Sequence, residues 1–168
     1  METRQIELPL ETAKRWYEQG GELRDLAIAI TDNSTIMYMY NRRFTPERIS
    51  ELKENEICVF GSNLTGAHGG GAARVAFHAF GAEWGKGVGL HGQSYAIPTM
   101  QGGVTTIKPY VDDFILFAKE HERLTFLVTR IGCGIAGFCD DDIAPLFKGA
   151  IDITNIILPK EFVEIIQK

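Results

Sequence analysis

The chain has 168 residues, 45% of them hydrophobic and 23% charged, so it can bury a core without disulfide or metal staples. Its net charge of -5 excludes non-specific nucleic-acid binding, which needs a basic surface, yet leaves room for a small anion held by backbone amides. No apolar run approaches the roughly 18–20 residues of a membrane span, the first residues lead into no signal-type apolar core, and three cysteines without regular spacing suit a reducing compartment. The expectation is a cytoplasmic protein with no membrane contact.

In chain order, residues 10–19 carry a helical pattern that Gly20-Gly21 stops, and a second short helix is expected over 22–30. Asp32-Asn33-Ser34 reads as a turn, and residues 35–40 as a short strand. Thr45-Pro46-Glu47 has the order of a helix start, so a helix is expected to about Lys53. From Glu56 the pattern changes to strands alternating with helices. Ile57-Cys58-Val59-Phe60 is a short buried strand, residues 72–80 an alanine-rich helix, and 81–92 a glycine-rich excursion. Residues 94–99 form a strand, 104–121 contain a long helix, 124–131 form the clearest strand, and 141–152 are helical. A short strand over 155–158 precedes a helical tail. Alternation of this kind implies parallel pairing, with ligands bound beyond the carboxyl ends of the strands. The whole is read as a single domain, with residues 1–54 a mostly helical elaboration and 55–168 the core.

Two glycine-rich loops leave inferred strand ends. The first, over 66–72, contains Gly69-Gly70-Gly71-Ala72 and follows Asn63; consecutive glycines let backbone approach a ligand, and the next helix offers unpaired N–H groups. Asn63 has a donor and an acceptor suited to a sugar hydroxyl. The bland reading is a tight turn, but three glycines in a row exceed what a turn requires. The second loop, over 132–138, is Gly132-Cys133-Gly134-Ile135-Ala136-Gly137-Phe138. Its glycines spell G-x-G-x-x-G, but only one strand follows, so it is read as a phosphate cradle and not as a nicotinamide dehydrogenase fingerprint. Gly81 to Lys86 falls one residue short of a P-loop, and Gly92-Gln93-Ser94-Tyr95-Ala96 leads into a strand where a nucleophile elbow needs a helix.

Among side chains, His68 reads equally as an acid or base facing a phosphate and as an exposed loop histidine. Cys133 is read as a space-filling residue in preference to a nucleophile. Asp140 opens an acidic run whose simplest role is to cap a helix; positioning a water is the weaker reading. No histidine pair has metal-ligand spacing, and neither a metal nor a cofactor is expected.

The run Arg130-Ile131-Gly132-Cys133-Gly134-Ile135-Ala136-Gly137 resembles the second phosphate loop of the macrodomain family, and Asn63 with Gly69-Gly70-Gly71-Ala72 resembles its first. Residues 56–158 follow the family's element order, and the chain is also similar to macrodomain-like proteins of phage and prophage regions. The resemblance implies a three-layer α/β/α fold that binds ADP-ribose or a related small molecule. By carry-over Asn63 meets the distal ribose and Gly69, Gly70, Gly71 and Ala72 line that ribose and one phosphate. Gly132, Gly134, Ile135, Ala136 and Gly137 cradle the diphosphate, and Phe138 packs nearby. Catalysis, if present, hydrolyses an ADP-ribosyl linkage or a terminal phosphate through Asn63, His68 and Asp140; the alternative is a mobile-element accessory protein that sequesters a nucleotide signal or binds a host partner. The chain departs from the family where Phe60-Gly61-Ser62 replaces Asn-Ala-Ala, where no acid near 44–46 matches the adenine-recognising one, and where Ala136 replaces an aspartate of some hydrolytic members.

Overall fold

The computed structural model describes residues 5–7, 26–30 and 36–168. They fall into two compact units, 1–44 and 45–168. In the first, three strands form an antiparallel sheet in the order β1 (Gln5–Glu7), β3 (Ile36–Asn41), β2 (Leu26–Ile30). The helix expected over 22–30 is therefore not formed at 26–30: the run Leu-Ala-Ile-Ala-Ile includes two β-branched residues and pairs from Leu26 to Ile30 with Asn41 to Met37. Pairing overrides the helix propensity of the two alanines. The described residues of this unit are thus strands, where a mostly helical elaboration was expected. The strand expected over 35–40 is β3, and the expected helix over 10–19 lies outside the described residues.

The second unit is built on a five-stranded mixed sheet in the order β5 (Gly89–His91), β6 (Ser94–Pro98), β4 (Glu56–Ser62), β7 (Thr125–Val128), β8 (Ile156–Ile157). β4 pairs parallel with both β6 and β7, and β7 with β8; β5 is antiparallel to β6. Central β4 is buried from Glu56 to Phe60, as its unbroken apolar run requires. Side chains alternate across a strand. Cys58, Phe60 and Ala96 accordingly join one cluster with Ala73 and Ala76 of α1 (Gly71–Ala79). Tyr95 and Phe126, of opposite parity, meet Phe114 of α2 (Val104–Glu120) at ring separations of 5.1 and 5.5 Å.

Two local readings change. No helix forms over 45–53: the Thr45 amide donates to the Leu158 carbonyl and its hydroxyl to that of Ile157, both at 2.9 Å, so this residue is tied beside β8 instead of capping a helix. The irregular segment that follows lays Ile49 and Leu52 on the α1 cluster. α2 starts at Val104, with Pro109 inside it. The helix expected over 141–152 is α3 (Asp140–Ile143) followed by a 3-10 helix (Ala144–Ala150), because Pro145 at its start removes an amide from the α ladder. The tail is α4 (Lys160–Ile166). No helix among the described residues is long and apolar enough to cross a membrane.

Candidate functional site

β4 and β7 are sheet neighbours, with Val59 opposite Val128, so their carboxyl ends deliver the two glycine loops side by side. Together they wall a cleft of about 1300 Å³. Gly61, at the end of β4, forms part of its lining; a Cβ there would stand 3.3 Å from the Gly132 nitrogen, so the missing side chain lets the strand end and the second loop come together.

The first loop is folded by its own side chains. Asn63 Oδ1 accepts from the Thr65 hydroxyl at 2.7 Å and from the Ala67 amide at 2.9 Å, while Nδ2 donates to the Ala67 carbonyl at 2.9 Å. Both acceptor positions are thereby used and one N–H is left for a ligand. Gly66 turns at φ 67, where a Cβ would strike the Gly85 backbone. The loop ends at Gly70, the N-cap of α1, which has no side-chain cap hydrogen bond. Among the described residues the amides of Gly69, Gly70, Gly71, Ala72 and Ala73 donate to no acceptor, as expected for an uncapped helix start.

The second loop is closed by two backbone bonds, Gly137 N–H to the Gly134 carbonyl at 3.0 Å and Phe138 N–H to the Gly132 carbonyl at 2.9 Å. Gly132 and Gly137 supply the positive φ values, 73 and 80, that this closure needs. The amides of Gly134, Ile135 and Ala136 donate to no acceptor among the described residues. Ile135 is 69% exposed, and its Cδ1 lies 2.9 Å from where a Cβ on Gly70 would stand. The loops are therefore close enough for one ligand to touch both. Undonated amides on two loops that line one cleft are donors of the kind that can hold an anion without net positive charge.

The cleft is lined by Asn63, Gly69, Gly70, Gly71, Ala72, Gly132, Cys133, Gly134, Ile135 and Ala136. His68, Gly137, Phe138 and Asp140 do not line it. His68 is 1% exposed. Its Nε2 donates to the carbonyls of Glu83 and Lys86 at 2.9 and 3.2 Å, and its Nδ1 lies 3.4 Å from the Ser62 Oγ. This histidine pins the 81–87 segment beneath the first loop, does not line the cleft and is not the exposed loop residue that its position suggested. The Phe138 ring packs by Gly132, where a Cβ would be 3.4 Å from it, and does not line the cleft.

Asp140 does not cap α3. Its carboxylate takes both arms of the Arg130 guanidinium, Nε to Oδ1 at 2.9 Å and Nη2 to Oδ2 at 2.6 Å. The Arg130 hydrogen bond holds the Asp140 carboxyl below its usual range. The Cys139 amide instead donates to Asp142 Oδ2 at 3.0 Å. Burial pushes the Cys133 thiol up to about 12, with a hydrogen bond to Asp140 as the next cause. Burial thus favours the protonated sulfur over the thiolate that a nucleophile needs.

Several lining residues had no place among the sequence candidates: Gly61, Thr99, Arg130, Trp84 and the segment from Thr45 to Ser50. A glycine interrupting the apolar run of β4 was a usable signal for Gly61. The others converge only through tertiary structure. No family model, curated protein or solved structure matches this chain.

Proposed function

We infer that residues 45–168 form a macrodomain-like, three-layer α/β/α binding domain whose cleft takes ADP-ribose or a related nucleoside diphosphate-ribose. The observation that carries this reading is the convergence of two glycine loops, from adjacent parallel strands, with undonated amides on residues 69–73 and 134–136 that line one cleft. Amides fixed in direction favour a diphosphate, whose charge is spread over several oxygens. Arg130 adds a guanidinium on the cleft wall, 48% exposed and oriented by Asp140. The resemblance of both loops to macrodomain loops supplies the ribose and the nucleoside.

Binding without turnover is favoured over hydrolysis. Each side chain proposed for catalysis is already engaged: Asn63 within its loop, His68 in the interior, Asp140 on Arg130. Ala136 brings no carboxylate. That combination suits the second reading from the sequence, a phage or mobile-element accessory protein that sequesters a nucleotide signal. Incubation with ADP-ribosylated protein and with ADP-ribose 1″-phosphate tests the distinction. Retention of ADP-ribose with no release of product is the expected outcome; turnover lost on Asn63→Ala would establish the hydrolase instead.

A further inference from the structure

Trp84 is 59% exposed and stands on the cleft wall next to the first loop. Its ring is held edge-on against Phe77 at 5.7 Å and against His68 at 6.3 Å. The backbone on either side is tied down as well. The carbonyls of Glu83 and Lys86 accept from the buried His68, and the Gly85 amide donates to the Gly66 carbonyl at 2.9 Å. A large aromatic side chain kept in water on a fixed segment is unusual, since such rings stabilise a fold by being covered. Here the fold holds the ring in place and leaves more than half of it open.

Its place along the cleft identifies what could cover it. The Trp84 segment lies toward the β5 edge of the sheet: the Phe80 carbonyl accepts from the Gln93 amide at 2.8 Å, and Glu83 approaches His91 of β5 at 3.8 Å. The cleft's other end lies toward β8, where Thr45 bonds Leu158 and where Pro46 and Pro159 give an apolar lining. The amides of the two glycine loops lie between these ends. Strands spaced at about 4.8 Å put the two sheet edges about 19 Å apart. The cleft's 1300 Å³ also exceeds the roughly 300–1,000 Å³ that a drug-sized ligand fills.

We propose that Trp84 is a stacking platform for an aromatic ring carried beyond the first loop, so that the preferred ligand is a dinucleotide: two ring-bearing nucleosides joined by a diphosphate. The proposal rests on the reading that the two loops hold a diphosphate. A ligand ending in a bare ribose leaves the Trp84 ring in water, whereas a second ring displaces that water and stacks. The contact requires a planar ring and no particular hydrogen-bond pattern.

Nicotinamide adenine dinucleotide and ADP-ribose differ by one ring and test this directly when titrated into the full chain. The dinucleotide is expected to bind about tenfold more tightly and to quench tryptophan fluorescence. Trp84→Ala should erase that difference by weakening the dinucleotide alone, and Trp84→Phe should keep most of it. Because the side chain is largely exposed, both variants should melt close to the parent, and the Phe variant keeps the comparison available if the Ala variant does not fold. Equal affinity of the parent for the two ligands, or equal weakening of both by Trp84→Ala, would overturn the role of Trp84 while leaving the diphosphate reading in place. Failure of both ligands to bind the parent would overturn both.

Discussion

Gly70 separates the requirements of the backbone from those of the cleft. Its φ of -149 is extended backbone that any residue adopts, so conformation does not demand glycine. A Cβ would, however, meet Ile135 Cδ1 at 2.9 Å, in the gap between the loops. Gly70→Glu is therefore expected to leave the melting temperature within about 3 °C of the parent, a shift typical of changes below about 1 kcal/mol, while placing bulk and negative charge where the anion would sit. Unchanged ligand affinity in a folded Gly70→Glu variant would contradict the site. Asp140 makes a different case. Its carboxyl is held below 3.8, so the Arg130 pair contributes stability above that value and loses it as pH falls through the lower, folded pKa. Arg130 is about half exposed, so the contribution is modest, under about 1 kcal/mol. Urea denaturation of the parent and Asp140→Asn should show a small constant gap from about pH 5 to about pH 8 that shrinks at lower pH. A gap that widens on acidification would contradict the pairing.

Among elements, the 81–87 segment shows how a loop can be held by an interior side chain. His68 donates from Nε2 to two carbonyls of that segment, and its other nitrogen meets the Ser62 hydroxyl. His68→Ala would leave those carbonyls without their buried donor and open a void beside Phe60, which the ring meets at 5.3 Å. A loss of roughly 2–4 kcal/mol is expected, read from chemical denaturation. A fully stable His68→Ala variant would mean that the segment is held by other contacts. The strands and helices from Glu56 onward were legible because their periodicity and their tertiary role agree. β4 is a continuous apolar run and is buried; the alanine-rich helix after the first glycine loop buries Ala73 and Ala76. Sequence misled where the two diverge. Thr45-Pro46-Glu47 carries a good helix start, but bonding to the β8 side outweighs roughly 1 kcal/mol of capping. Leu26 to Ile30 carries alanines that favour a helix, and the partner strand decides otherwise.

For the molecule as a whole, the proposed function has an acidic chain of net charge -5 take an anion into its cleft. Backbone amides make this possible, because their partial charges are local and oriented while net charge is spread over the surface. The glycine pattern pointed to part of the cleft wall in advance: Asn63, Gly69 to Ala72 and Gly132 to Ala136 all line it. Glycine spacing constrains backbone directly and so can be read from a linear sequence. The partners of His68 and Asp140, and the arrival of Trp84, Arg130 and the Thr45 to Ser50 segment, depend on residues far apart in the chain, and no local pattern encodes them. The central claim is that the two loops jointly hold the diphosphate of an ADP-ribose-type ligand. Isothermal titration of ADP-ribose into the parent and Gly70→Glu proteins measures this most directly. The account predicts saturable binding with a dissociation constant of about 1 mM or tighter in the parent, roughly 4 kcal/mol or more, and none in the variant. No heat and no thermal shift in the parent at excess ADP-ribose would contradict it.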